Sequence, residues 1–339
     1  MFFVATAPND SLNLMPRLIY RSEVEHNRGG IKVNPWLIML MPYFGQWPEW
    51  IELFVESCKW NPGVHWRFYT DCGEPENKAA NVAYVHLSFA DYKALVRERL
   101  GITFDPPAPY KLCDLRPCLA YIHERDVADF PFFGYGDVDV IYGNIRRFYT
   151  DKVLARANVL STHPERLAGH FAVLRNTRVF RHAFERIPNY RTLLEQPQHA
   201  AMDESHFTAV FHPPAAKPHG LRRLVDYFDP CRRGLLFVER YSTVLSPRGW
   251  HDGTMNYPQK WYWRRGRLTN ERDGEREFLY LHFMRWQSDR WMPTPPAPGE
   301  AAWLGLERIV HIDWRRAAAN GFCISREGFT EISPSASQT

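Results

Sequence analysis

Between residues 35 and 150 the chain alternates short apolar runs with stretches of helical spacing. Trp36 to Tyr43, WLIMLMPY, is an apolar run closed by Pro42 and Gly45, which is the pattern of a buried strand and its turn. From Pro48 to Trp60, PEWIELFVESCKW sets Trp50, Leu53, Phe54, Ser57 and Cys58 at helical spacing. Pro48 and Glu49 suit a helix start, and Asn61-Pro62-Gly63 its stop. Trp66–Thr70 and Val82–Leu87 read as a second and third strand. Ser88, with Asp91 three residues on, forms a capping box for a helix running to Leu100, which Gly101 ends. A proline-rich loop and the helix-like KLCDLRPCLAYIHE then lead into Phe132–Phe148, FFGYGDVDVIYGNIRRF. Repeated strand–helix order predicts an α/β fold with a mostly parallel central sheet flanked by helices and right-handed crossovers.

Past Phe148 the alternation weakens. Residues 158–176 read as strand, loop, strand. Helices are expected near 179–186 and 202–210, then short strands at WYWRRGRL and FLYLHFMRW. Pro293–Pro298, PTPPAP, reads as a semi-rigid linker, and the tail from Ser333 is polar. These boundaries divide the chain into an N-terminal arm (1–34), a main domain (35–292) and a C-terminal elaboration (293–339).

Composition narrows the class. Of 339 residues 45% are hydrophobic and 24% charged, as in a globular protein with a full core. A net charge of +4, with arginines gathered late in the chain, points to an anionic ligand or membrane surface and not to nucleic acid. The six cysteines form no CxxC pair; with no secretory signal visible and no 18-residue apolar run, the expectation is reduced thiols in a cytoplasmic protein. Aromatic residues reach 15%, which suits a core and a saccharide or nucleobase cleft equally.

The chemistry concentrates at Asp137 and Asp139. In an extended strand residues two apart project to one side, so the two carboxylates would aim at one point while Val138 and Val140 face the other way. Two converging carboxylates repel unless a hard cation such as Mn²⁺ or Mg²⁺ neutralises them. In α/β folds ligands collect beyond the carboxyl ends of the strands, where a cation could also meet a diphosphate.

With its DxD after an apolar strand midway through an α/β alternation, the chain resembles the GT-A class of nucleotide-sugar glycosyltransferases. The resemblance spans about Trp36 to Trp291. It implies a Rossmann-like fold in which Asp137 and Asp139 hold Mn²⁺ or Mg²⁺ against the donor diphosphate. Asp114, in Tyr110-Lys111-Leu112-Cys113-Asp114, is similar to the aspartate of a Ser-Asp-x-x-Arg segment that binds the donor; a plain helix cap is the other reading. Arg116 follows two residues later instead of three, and Pro117 interrupts. His282, in Leu279-Tyr280-Leu281-His282-Phe283, stands where such enzymes complete the metal site, although a core histidine is the alternative. Gly169 and His170 would line the acceptor, unless His170 is only a satisfied polar residue. Asp203 and Glu204, at a helix start that favours carboxylates in any case, would supply the base in an inverting enzyme. Tyr43, Phe44 and Trp47 would receive the base of the nucleotide. Lys260, Arg264, Arg265 and Arg285 would assist the leaving group, unless the arginine-rich hairpin is only a solvated surface.

Implied partners are a nucleotide-sugar donor and a saccharide or lipid-linked acceptor, with no nucleic acid. The implied setting is polysaccharide or lipopolysaccharide synthesis at the cytoplasmic face of a membrane, with peripheral attachment. Two rivals remain. A haloacid-dehalogenase-like phosphatase would use the first aspartate as nucleophile, but its motif sits on the first strand with Thr or Val where Ile141 stands here. A non-catalytic carbohydrate-binding protein would keep the fold without turnover.

Overall fold

The computed structural model describes residues 34–163, 166–212, 228–242, 249–254, 256–283, 312–325 and 328–332. The chain divides into residues 1–33 and 34–339, and only the second unit is described below. The arm, the Pro293–Pro298 linker, the tail and Arg285 lie outside the described residues.

Seven strands build the central sheet: β1 (Leu37–Pro42), β2 (Val64–Thr70), β3 (Val82–His86), β4 (Phe132–Gly136), β6 (Val159–Ser161), β7 (Phe171–Arg175) and β8 (Leu235–Phe237), with β5 (Val140–Tyr142) set apart from it. Their order is β3-β2-β1-β4-β7-β6-β8. Pairing is parallel from β3 to β4 and between β6 and β8, and antiparallel on both sides of β7. The fold is therefore α/β with a mostly parallel sheet, as the strand–helix alternation predicts.

Both faces of this sheet are buried, which explains why β1 reads as one apolar run. Ile38 and Leu40 face one core with Tyr92 and Val96 of α2 (Phe89–Leu100). Leu37, Met39 and Met41 face another with Phe54 and Cys58 of α1 (Ile51–Lys59). The ends of α2 follow the sequence signals: Ser88 Oγ accepts the Asp91 N–H at 3.1 Å, and Gly101 caps the helix in the left-handed region at φ 61°.

A second layer covers α1. Strands β9 (Lys260–Arg264) and β10 (Arg267–Asn270) form a hairpin, and β12 (Phe322–Ser325) and β13 (Gly328–Glu331) extend it in the order β10-β9-β12-β13. Trp261, Trp263, Leu268, Phe322 and Ile324 face a third core that also takes Leu53 of α1. Between the layers runs a two-stranded ribbon of β5 paired antiparallel to β11 (Tyr280–His282). Alternation splits the ribbon between cores: Val140, Tyr142 and Tyr280 enter the second, Ile141 and Leu281 the third. A ribbon clamped on both faces is a rigid mount for the residues at its end. Among the described residues no helix is long and apolar enough to cross a membrane.

Two expectations are corrected. Asp137 and Asp139 do not lie in a strand: β4 stops at Gly136, β5 starts at Val140, and the DxD occupies the bend between them. The run after Pro109 is not α-helical throughout; it winds at three residues per turn from Pro109 to Cys118 and becomes α-helical at Leu119–Ile122. Pro117 lacks an N–H and is compatible with the tighter winding.

Candidate metal and donor site

The bend carrying the two aspartates is fixed from three sides. The Asp137 N–H donates to the His170 carbonyl at 3.1 Å, the Trp50 indole N–H to the Val138 carbonyl at 2.9 Å, and the Phe283 N–H to the Asp139 carbonyl at 3.1 Å. The bend stands just past the carboxyl end of β4, next to β1, where open α/β sheets bind ligands. Because β11 pairs with β5, His282 lies opposite Val140 and next to Asp139. Its Nε2 is 3.6 Å from Asp139 Oδ1. One donor atom from each of Asp137, Asp139 and His282 lies within 4.8 Å of the others.

Asp139 Oδ1 is buried and accepts no hydrogen bond. A carboxylate oxygen in that position costs free energy unless something charged sits against it. Two carboxylates and an imidazole form a donor set suited to Mn²⁺ or Mg²⁺, so the residues fit the expected cation. The two acids are pushed apart in affinity for protons. Burial raises Asp137 to about 6 against the pull of Arg116, and the Asp139 charge adds to the rise. Burial also works to raise Asp139, but His282 beside it outweighs this and holds it below the ordinary carboxylate range.

The cation that meets these acids is Arg116, the residue whose spacing departs from the Ser-Asp-x-x-Arg pattern. In a helix of three residues per turn, positions three apart share a face. Tyr110, Cys113 and Arg116 form the less buried stripe, while Lys111 and Asp114 point inward. The Arg116 guanidinium pairs with Asp137 through Nη2 and with Asp203 Oδ2 through Nη1 at 2.7 Å. The signal for it in the sequence is the three-residue period itself.

The remaining expected residues divide clearly. Asp203 is 2% exposed and sits with Glu204 in a wide helical turn, Met202–His206. Glu204 accepts the Gly169 N–H at 3.1 Å and pairs with Arg166 at 3.0 Å. Gly169 lets the backbone approach closely there: a β-carbon on it would stand 2.6 Å from Arg116 Nη1 and 2.7 Å from Asp203 Oδ2, so these side-chain ends would have to shift. Tyr43 and Trp47 stack at 4.8 Å between ring centroids, half-buried at the end of β1. Burial pushes the Tyr43 phenol up to about 12, with the charges of Cys72 and Asp139 adding to it.

Six expected residues stand elsewhere than expected. Phe44 is buried against Phe89 and Tyr92 and offers no surface to a nucleotide. Asp114 is fully buried; its oxygens accept the Ala200 and Met202 N–H groups, each at 2.8 Å, and pair with Lys111 at 2.9 Å. It anchors the turn that carries Asp203, and one donor atom from each of Asp114, His199 and Asp203 lies within 4.8 Å of the others. His170 is 3% exposed, bonds the Tyr280 hydroxyl at 2.8 Å and stacks on His282 at 3.8 Å, so it supports the site from behind and does not reach an acceptor. Burial, with His282 and His163 near it, drives its pKa well below the ordinary value and keeps it neutral. Lys260 and Arg264 alternate with the inward-facing Trp261 and Trp263, so they project from the outer face of the second sheet. The Arg265-Gly266 turn packs on Trp60, about 15 Å along α1 from Trp50, which touches the DxD bend. The arginine-rich hairpin therefore does not converge on the aspartates.

Among solved structures the chain is similar to mouse xyloside xylosyltransferase 1 in its apo form, at 12% identity over 78% of this chain and 100% of that one, with a TM-score of 0.35. It is also similar to the galactosyltransferase LgtC in complex with donor and acceptor sugar analogs, at 7% identity over 50% of this chain and 72% of that one, with a TM-score of 0.28. No curated protein matches it. Residues 39–296 match a family of unknown function, DUF6625, and the chain belongs to that family.

Proposed function

We propose that this chain is a metal-dependent glycosyltransferase that moves a sugar from a nucleotide-sugar donor to a saccharide or lipid-linked acceptor. The observation that carries the reading is the convergence of Asp137, Asp139 and His282, one donor atom from each within 4.8 Å of the others, at the carboxyl end of a mostly parallel sheet. Asp137, Asp139 and His282 would hold Mn²⁺ or Mg²⁺, whose charge would offset that of the diphosphate leaving group. The stacked Tyr43 and Trp47 rings offer the nucleotide base an aromatic flank. Arg116, charged at any working pH, offers a forked donor to phosphate or sugar oxygens. Asp203 and Glu204 stand on the far side of Arg116, and Glu204 is the more open of the two, so it is the better placed to take an acceptor proton.

The phosphatase alternative needs a free nucleophilic aspartate, whereas the first aspartate here is tied to Arg116. The deciding experiment is a thermal-shift titration of wild type and Asp139→Ala with Mn²⁺ and a panel of nucleoside diphosphates. Stabilisation by one nucleotide that needs metal and vanishes in the variant supports the donor site and names the base. Hydrolysis of the matching sugar nucleotide then separates a catalyst from a carbohydrate-binding protein. If no nucleotide shifts the melting temperature with metal present, the transferase reading fails.

A further inference from the structure

Arg116 occupies an unusual post for a residue beside a cation site. Its side chain is 11% exposed, and its fork spans two carboxylates that belong to different tasks: Asp137 of the metal group and Asp203 across from it. We propose that Arg116 couples the binding of the divalent cation to that of the donor diphosphate, so that each binds weakly alone and tightly with the other. The inference rests on the glycosyltransferase reading of the site.

Asp137, Asp139 and Asp203 bring three acidic side chains to one half-buried space, and the guanidinium offsets their repulsion by sharing itself between two of them. A divalent ion that takes Asp137 must contend with this charge at ion-pair range. Even with the screening of bulk water, such repulsion weakens binding by about tenfold. A diphosphate changes the balance, because its oxygens accept the Nη2 donors that leave Asp137 while Nη1 keeps Asp203. Gly169 leaves room for that turn: its α-carbon faces Arg116 Nη1 and Asp203 Oδ2 with no side chain between. Coupling of this kind is reciprocal, so the cation must tighten the nucleotide by the same factor.

Two variants move the cation's own affinity in opposite directions. Arg116→Met removes the competing charge, so Mn²⁺ alone should bind about tenfold more tightly and its coupling to nucleotide should fall toward onefold. Asp203→Asn takes away the second carboxylate, leaving Asp137 to hold the guanidinium alone, so Mn²⁺ alone should bind more weakly than in wild type. A merely structural Arg116 would instead give weaker Mn²⁺ binding in both variants. The measurement is isothermal titration of the full chain with MnCl₂, alone and with saturating UDP, GDP, ADP or CDP, for wild type, Arg116→Met, Asp203→Asn and Asp139→Ala.

Equal or weaker Mn²⁺ binding by Arg116→Met overturns the proposal, as does wild-type coupling that survives in that variant. If Arg116→Met does not fold, Asp203→Asn decides by its coupling: nucleotide should then tighten Mn²⁺ by a larger factor than in wild type, and an unchanged or smaller factor overturns the proposal. Asp139→Ala reports on the site itself: unchanged Mn²⁺ binding there refutes the metal site, and the coupling proposal falls with it.

Discussion

Gly143 links the stability of the fold to the geometry of the cation site, and Gly143→Ala tests that link. Gly143 follows β5 directly, and its N–H donates to the Leu279 carbonyl, just before β11, at 2.9 Å. A β-carbon there would stand 2.3 Å from the Phe278 carbonyl oxygen and 3.3 Å from both the Leu279 carbonyl oxygen and Leu268 Cβ. Close carbon–oxygen contacts sit at about 3.3 Å, so the backbone around Phe278 must retreat by about 1 Å. Neither strand can give way by a rotamer change, since the clash is with main chain clamped between two cores. Overpacking of this kind costs about 1–3 kcal/mol, and loss of the bond to Leu279 adds about 1 kcal/mol. The chain should remain folded, with its urea midpoint lowered by about 1 M. The same shift separates β5 from β11, and with them Asp139 from His282. Metal donor sets tolerate only about 0.2 Å, so Mn²⁺ affinity should fall at least about tenfold. Gly73 is the control: a β-carbon on it would meet no atom within 4 Å, so Gly73→Ala should change stability by less than about 0.5 kcal/mol. A Gly143→Ala protein that loses stability but binds Mn²⁺ as wild type does would show that the ribbon does not set the donor geometry.

His123 is buried, bonds the Tyr92 hydroxyl at 3.0 Å, and is pushed by burial from 6.5 down to about 3, with Arg67 and Arg99 adding to the shift. Below pH 6.5 the unfolded chain takes up a proton that the folded chain refuses, so this contribution to stability is full above 6.5 and is lost toward pH 3. The loss should run at about 1.4 kcal/mol per pH unit in denaturant titrations, and His123→Gln should remove that part of the slope; an unchanged slope would refute the assignment. Asp114→Ala strands the Lys111 ammonium and two backbone N–H groups, and should cost about 3–5 kcal/mol; near-wild-type stability would mean that Asp114 is free for a ligand after all. Phe44→Ala should cost about 3–5 kcal/mol as a core deletion, whereas Lys260→Ala should leave both stability and Mn²⁺ binding unchanged; the opposite pattern in unfolding and titration experiments would return both residues to the donor site.

What can be read from the chain is what local physics dictates. The apolar run of β1, the Ser88 cap and Gly101 stop of α2, and the apolar run of β4 each carry their signal within a few residues, whereas the bend that ends β4 before Asp137 does not. The pairing of the DxD with His282 is legible as a motif order, although its geometry comes from the β5–β11 ribbon, which joins residues about 140 positions apart in sequence. The illegible part is direction. Tyr43 and Phe44 are neighbours, yet one ring stays half-buried against Trp47 and the other enters the core, because consecutive residues at a strand end point to opposite sides. Lys260 and Arg264 face outward because β12, some sixty residues later, pairs with β9 and buries Trp261 and Trp263 on the inner side. Arg116 is hidden as long as an α-helical period is assumed. Three acids that converge in a half-buried space require a positive charge within reach, and the element before the DxD bend is close enough in the chain to supply it. Read with three residues per turn, Tyr110, Cys113 and Arg116 fall on one face, and only the last can answer that requirement.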